Sequence, residues 1–144
     1  MRLSYSMFAA AALMLCGAVC FAQEPPKEKS LEERCEEEAD RLTNALDLEY
    51  WQTFYVDSTL KHDYAELQKE YDLLQKAKVS NYSLYQDKQD FWMDRIDLAY
   101  QKIFTEEQWA LYLKQGAAKA QKAREKRRLK AQQAVNPSEG KSKK

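Results

Sequence analysis

The amino-acid sequence predicts an all-α fold, and three features of it lead to that expectation. Gly116 is the only glycine or proline between Ser30 and Asn136, so long helices can run through most of the chain. Apolar residues in that stretch recur at steps of three and four, and no segment alternates with the period of two that is typical of strands. Alanine and charged residues, which suit helix surfaces, are plentiful. We expect about four helices.

The first 22 residues have the pattern of a secretory signal peptide. Arg2 gives a positive start, an apolar run of roughly 16 residues follows, and Ala22 is a small residue suited to cleavage. The run is shorter than the ~20 residues that a membrane-spanning helix needs. We expect cleavage and export to the periplasm or the medium, with a retained membrane anchor, or a lipid anchor on Cys16 or Cys20, as the alternatives. The expected organisation is a signal peptide, a linker, a helical domain and a basic, partly disordered tail, over residues 1–22, 23–30, 31–116 and 117–144.

A first helix is predicted from Leu31 to Leu46 because a capping-box sequence precedes it. The Ser30 side chain can accept a hydrogen bond from the backbone N–H of Glu33, whose side chain can bond back to Ser30. Cys35 lies in this helix and is the only cysteine after residue 22, so it can either pair between chains or behave as a half-buried apolar residue. The acids at 36–38 should raise its pKa, and we expect a mostly unreactive thiol.

Two long helices should follow, joined by a polar turn over Val79–Ser83. The first of them should begin near Asp47–Glu49 and end near Lys78, with one apolar stripe along its length. That stripe consists of Val56, Leu60, Tyr64, Leu67, Tyr71 and Leu74. The stripe of the third helix consists of Tyr85, Lys88, Trp92, Ile96, Ala99 and Ile103. Two long helices with a short connection predict a central antiparallel helical hairpin.

The last predicted helix begins at Thr105, which has the capping-box spacing to Gln108. Glu106 and Glu107 occupy its first turn, where the helix dipole favours negative charge. The expected core-facing residues are Trp109, Leu111, Tyr112 and Leu113. Beyond Gly116 the chain keeps good helix propensity but has few apolar residues to bury, so we expect a helical or disordered tail.

A short motif occurs twice, each time at a predicted break between helices. The copies are Leu48-x-x-x-Gln52 and Phe104-Thr105-x-x-Gln108. Asp47 or Glu49 stands where the second copy has its threonine, and we expect Asp47 to be the cap because aspartate ranks high at that position.

The doubled motif resembles the paired LTxxQ motifs of the Spy/CpxP-like periplasmic proteins. The signal peptide, the chain length and the helical hairpin agree with this resemblance, which covers about residues 31–116. Leu48-Glu49 replaces Leu-Thr in the first copy, and Phe104 replaces leucine in the second. The resemblance implies a bent four-helix protein that forms an antiparallel, cradle-shaped homodimer. It also implies that the motif residues are structural and lie at the hinge ends of the hairpin, namely Leu48, Gln52, Phe104, Thr105 and Gln108.

Proteins of this kind bind unfolded or stressed envelope proteins, or restrain a stress-signalling sensor, without ATP, and the resemblance implies the same role here. The aromatic residues agree with it, because fourteen of them lie between Tyr50 and Tyr112, more than a thin helical protein can easily bury. Tyrosine and tryptophan suit interfaces, so we expect about half to lie on a dimer interface or an exposed groove. The candidate client-binding residues are Tyr50, Phe54, Tyr64, Tyr71, Tyr85 and Phe91.

Charge is unevenly distributed along the chain. Residues 24–49 hold ten acids and four bases, whereas residues 114–144 hold eleven bases and two acids. A basic tail can contact an anionic surface, although a solvated extension is the commoner explanation. The residues that would make such a contact are Lys119, Lys122, Arg124, Lys126, Arg127, Arg128 and Lys130. No aromatic residues interleave them for base stacking, so we expect acidic proteins or anionic surfaces as partners and no nucleic acid.

The sequence contains no pattern typical of an enzyme. It has no supported Ser-His-Asp set and no glycine-rich phosphate loop, so we expect no catalytic residues and no cofactor. His62 and Met93 are the only histidine and methionine after residue 22, which are too few for a zinc or copper site. We interpret the chain as an exported, ATP-independent chaperone-like or envelope-stress adaptor protein. The alternative is an envelope-structural or surface-binding protein that acts through its basic C-terminal tail.

Overall fold

The computed structural model describes residues 28–135, which are helical almost throughout and contain no strand. The helices are α1 (Leu31–Leu46), α2 (Tyr50–Lys76), α3 (Tyr82–Ile103), α4 (Glu106–Tyr112) and α5 (Ala118–Val135), and a π-helical turn over Leu113–Ala117 joins α4 to α5. The predicted all-α class is confirmed. The predicted signal peptide, most of the predicted linker and residues 136–144 lie outside the described residues. Among the described helices, none is long and apolar enough to cross a membrane.

The breaks between helices follow from local capping. At the start of α1, the Ser30 hydroxyl accepts a hydrogen bond from Glu33 N at 3.1 Å, and Ser30 N donates to the Glu33 carboxylate at 2.8 Å. The expected cap of α2 was wrong, because Asp47 ends α1 in the left-handed conformation, with φ +52°, and Glu49 is the N-cap of α2. Aspartate tolerates that conformation better than most residues, which suits Asp47 to the end of a helix rather than to the start of the next.

The core lies where α1 packs on α2 and where α2 packs on α3. The stripe that α1 buries has helical spacing and consists of Cys35, Ala39, Leu42 and Leu46. It meets Val56 and Leu60 of α2 and Ile96 of α3. Full burial of one such aliphatic side chain contributes about 1.5–3 kcal/mol, so this short stripe is sufficient to hold α1 on the other helices.

Two expectations about the core were wrong. Tyr100 is 1% exposed although it was not in the predicted α3 stripe, because its ring packs 4.9 Å from the Phe104 ring and 5.5 Å from the Tyr112 ring of α4. α3 therefore buries side chains against α4 as well as against α2, and one stripe cannot describe it. Leu111 was expected in the core and is instead exposed.

Candidate functional site

The glutamines of the two motif copies contact each other, although they lie 56 positions apart. Gln52 Nε2 donates a hydrogen bond to Gln108 Oε1 at 2.7 Å, and Gln108 Nε2 donates to Gln52 Oε1 at 3.1 Å. Gln52 is only 2% exposed. We call Gln52 and Gln108 the glutamine pair.

The oxygen of each amide also holds the start of its own helix. Gln52 Oε1 accepts from Glu49 N at 2.9 Å, and Gln108 Oε1 accepts from Thr105 N at 3.0 Å. Thr105 completes the capping box of α4, since its hydroxyl accepts from Gln108 N at 3.2 Å. Each oxygen therefore satisfies a backbone N–H that the helix itself leaves without a partner.

The nitrogen of each amide reaches the backbone that precedes the other helix. Gln52 Nε2 donates to the carbonyl of Ile103 at 2.8 Å, and Gln108 Nε2 donates to the carbonyl of Asp47 at 3.3 Å. Each of these carbonyls lies two residues before an N-cap, so the two copies make equivalent contacts. The doubled motif thus forms one buried polar junction between the α1–α2 break and the α3–α4 break, with the hydrogen-bonding groups of both amides satisfied.

The apolar residues of the motif support the same junction. Leu48 and Phe104 each stand immediately before an N-cap, and they are 8% and 7% exposed. An apolar residue at that position fixes the angle at which the chain enters a helix. All five motif residues therefore lie at one end of the α2–α3 pair, where they position α1 and α4.

A solvent-open groove of about 570 Å³ lies between α2 and α3. Its α2 side consists of Tyr55, Ser58, Thr59, His62 and Asp63, and its α3 side consists of Arg95, Leu98, Ala99, Lys102 and Ile103. We call it the α2–α3 groove. It contains carboxylate, cationic and apolar surface, which together can contact a mixed peptide segment.

Exposed aromatic rings stand near both ends of the α2–α3 groove. Near one end, the Tyr55 ring makes edge-to-face contacts with Trp51 at 6.3 Å and Phe54 at 5.7 Å, and all three rings are about half exposed or more. Near the other end, the Arg95 guanidinium lies 5.9 Å from the ring of the exposed Phe91. Large apolar side chains held in water around a groove are typical of an interaction surface.

The structure separates the six predicted client-binding residues into two sets. Tyr50, Phe54 and Phe91 are exposed, and Tyr50 is the most exposed at 90%. The other three are partly buried and already have contacts within the chain: Tyr64 packs against the core, and Tyr71 and Tyr85 face each other at 5.6 Å. Sequence reasoning missed Trp51, Tyr55 and Leu98 at the groove. Trp51 and Tyr55 are four positions apart, so they lie on one face of α2. That spacing could have shown that the two rings share a face separate from the buried stripe of this helix.

The basic segment packs on α3 through three arginines, which we call the arginine row. Arg124, which is 8% exposed, bridges two aspartates of α3: its Nε donates to Asp94 at 2.6 Å, and its Nη2 pairs with Asp97. Arg127 makes a bidentate pair with Asp90, at 2.6 and 2.7 Å. Arg128 adds a bond of 3.2 Å to Asp94.

Asp97 connects the arginine row to the rest of the fold. It is buried, and its carboxylate also accepts hydrogen bonds from Tyr112 Oη at 2.8 Å and Gln121 Nε2 at 3.0 Å. A charged side chain in such a place needs several partners, because leaving it unpaired costs several kcal/mol.

Asp90 shows the electrostatic effect of the arginine row. Burial by itself would raise the pKa of this carboxyl, but hydrogen bonds from Arg127 and from Gln86 hold the pKa below its usual range. The pairing therefore keeps Asp90 ionised over a wider range of pH than in the unfolded chain.

The first part of the tail is not the solvated extension that we expected. α5 is helical to Val135, and its arginines pair with aspartates of α3. The small number of apolar residues in α5 concealed this contact, because the attachment depends on charge. The acids at 90, 94 and 97 recur at helical spacing, and that pattern was the available signal.

Cys35 belongs to the core rather than to a surface. The thiol is free, and the residue is 2% exposed. Burial first, and then the nearby Asp57 carboxylate, raise the pKa of the thiol. The direction agrees with the prediction, but the acids at 36–38 are not the main cause. Within the described residues, no group of three or more histidine, cysteine, aspartate or glutamate side chains could hold a metal ion.

Comparison of the chain with family models, with curated proteins and with solved structures finds no match in any of the three.

Proposed function

We propose that the protein is an exported, ATP-independent chaperone-like protein that binds segments of unfolded envelope proteins at the α2–α3 groove. The observation that carries this proposal is a set of exposed rings around an open groove lined by positively and negatively charged side chains. The rings are those of Trp51, Phe54, Tyr55 and Phe91. These rings do not support the core, so their exposure needs a reason other than folding. The resemblance to the LTxxQ motif proteins supports the same role, as well as a homodimer and a periplasmic location.

The shape of the α2–α3 groove favours weak and reversible binding. It is open along its length, so an extended client segment can contact the rings without being enclosed. The exposed Arg95 and Lys102 along its sides can pair with acidic side chains of a client. Release then needs no nucleotide, because a shallow contact that leaves much of the client in water has modest affinity. The same surface could hold a folded adaptor partner, such as a stress sensor.

The direct experiment uses residues 23–144 and reduced insulin as an aggregating client. Equimolar protein should slow the rise in light scattering, and added ATP should have no effect. The variant Trp51→Ser/Phe54→Ser/Phe91→Ser should lose most of this protection. A matched control, Leu73→Ser/Tyr82→Ser/Leu84→Ser, removes exposed apolar side chains away from the groove and should keep it.

Circular dichroism of both variants establishes whether they are folded, which is expected because all six side chains are exposed. Equal loss of protection in the two variants, or no protection by the unaltered protein, would contradict the proposal.

A further inference from the structure

The basic residues of α5 are separated by type onto two faces of the helix. The three arginines of the arginine row pair with aspartates of α3. The four lysines are all exposed, and within residues 28–135 none of them pairs with an acid. We call them the lysine stripe: Lys119, Lys122, Lys126 and Lys130.

The spacing of the lysine stripe keeps its charges in line. Its members follow one another at steps of three, four and four, which places them on one side of the helix over about 17 Å. Leu129 is the only leucine of α5, and no continuous apolar face accompanies the lysines. A helix that inserts into a bilayer needs such a face, so contact through this stripe has to be electrostatic and peripheral.

Arginine and lysine are suited to these different surroundings. The planar guanidinium matches carboxylates in a bidentate way, as Arg127 does with Asp90, whereas the lysine ammonium is a strongly hydrated point charge. The arginine charges are largely neutralised within the molecule, and the lysine charges stay available. The four exposed lysines project from one side of α5, so a flat anionic surface can contact all of them along the length of the helix. A folded protein would need a matching groove to do the same.

We propose that the lysine stripe is a docking site for an anionic lipid surface, and that α5 stays on α3 through the arginine row while the lysines are bound. The four lysines are exposed and form no ion pair within residues 28–135, so their positive charge complements an anionic surface. This site is independent of the client-binding proposal, because it uses none of the residues of the α2–α3 groove.

The test is co-sedimentation of residues 23–144, which include every described residue, with two kinds of vesicle. Equimolar phosphatidylcholine and phosphatidylglycerol vesicles should bind the protein at low salt, and pure phosphatidylcholine vesicles should not. One variant neutralises the stripe: Lys119→Gln/Lys122→Gln/Lys126→Gln/Lys130→Gln. It should bind the anionic vesicles roughly 100-fold more weakly or worse. Changing the same four lysines to arginine should preserve binding. High salt should abolish binding of the unaltered protein.

The matched control is Lys69→Gln/Lys76→Gln/Lys78→Gln/Lys102→Gln, which removes the same charge from α2, the turn and α3. It should change binding only a few-fold. Equal weakening by the two sets, or no binding to the anionic vesicles, would overturn the proposal. Stripe-dependent binding to polyglutamate or to duplex DNA, without binding to the vesicles, would also overturn it and would assign the stripe to a different class of partner.

Discussion

The glutamine pair and the arginine row both join segments that are distant in the sequence, but they use opposite kinds of interaction. At the glutamine pair, neutral amides and backbone groups satisfy one another beside a packed apolar core. At the arginine row, charged side chains bridge two helices, and α5 has no buried residue except Arg124. Neutral buried hydrogen bonds are insensitive to salt and pH, whereas partly exposed ion pairs respond to both. The first contact therefore suits a permanent joint, and the second suits an attachment that conditions can loosen.

The largest effect is expected at the glutamine pair. Gln52→Ala should lower the free energy of unfolding by about 3 kcal/mol, because it leaves Glu49 N and the Ile103 carbonyl without their amide partner and removes both hydrogen bonds to Gln108. Urea denaturation measures this loss, which should be the same at low and high salt. Gln68→Ala is the control, since Gln68 is exposed and should matter little. A loss below 1 kcal/mol would show that the junction is not a rigid joint.

The next largest effect should follow the removal of the buried arginine. Arg124→Gln should destabilise the protein by about 2 kcal/mol, because Asp97 then keeps its charge in a buried place with fewer partners. Adding Asp97→Asn should recover part of the loss, since it removes the unpaired charge. Arg128→Gln is the matched control at an exposed member of the same row and should cost much less. Equal losses for Arg124 and Arg128 would contradict the central place given to Arg124.

The connection between the two regions contains a third sensitive position. Gly116 has φ +118°, which an L-residue adopts only with strain, although a Cβ there would meet no atom within 4 Å. Gly116→Ala should therefore cost about 1–2 kcal/mol through the backbone alone. It should also speed hydrogen exchange in α5, because relief of the strain changes the direction in which α5 leaves α4. A loss below about 0.5 kcal/mol would argue against backbone strain at this position.

The smallest effect concerns the pH dependence of the arginine row. Because pairing holds the pKa of Asp90 below its unfolded value, the pair stabilises the fold above pH ~3.9, and this stabilisation is lost as pH falls through the folded pKa. Asp90→Asn should be less stable than the unaltered protein at pH 7, by up to about 1 kcal/mol, and the difference should close in acid.

The exposed Asp87 provides a charge-matched control on the same helix, because Asp87→Asn should change the free energy of unfolding at pH 7 by less than about 0.5 kcal/mol. High salt should shrink the Asp90 difference at pH 7 without altering the loss caused by Gln52→Ala. A difference that persists in acid would show that Asp90 stabilises the fold by packing rather than by charge.

The sequence by itself determined what depends on neighbours a few positions apart. The helical class, the bounds of α1 and the caps at Ser30 and Thr105 follow from spacing, because helix geometry brings residues three positions apart into contact wherever the helix lies. The polar turn residues of Val79–Ser83 predicted a break in this part of the chain, and the structure has it over residues 77–81. The prediction of Asp47 rather than Glu49 as the N-cap of α2 was wrong, because the position of the cap depends on how the backbone turns between α1 and α2.

The tertiary structure alone decided which residues meet across the chain. Gln52 and Gln108 are separated by 56 positions and Arg124 and Asp97 by 27, and no local rule relates such residues. The same holds for exposure: Tyr50 and Tyr100 are the same residue type in the same class of element, yet the first is 90% exposed and the second 1%. Apolar residues at helical spacing show that a helix has a buried face. The width of that face depends on how many helices pack against it and from which directions. For α3 those partners include α4, which only the folded chain places against it.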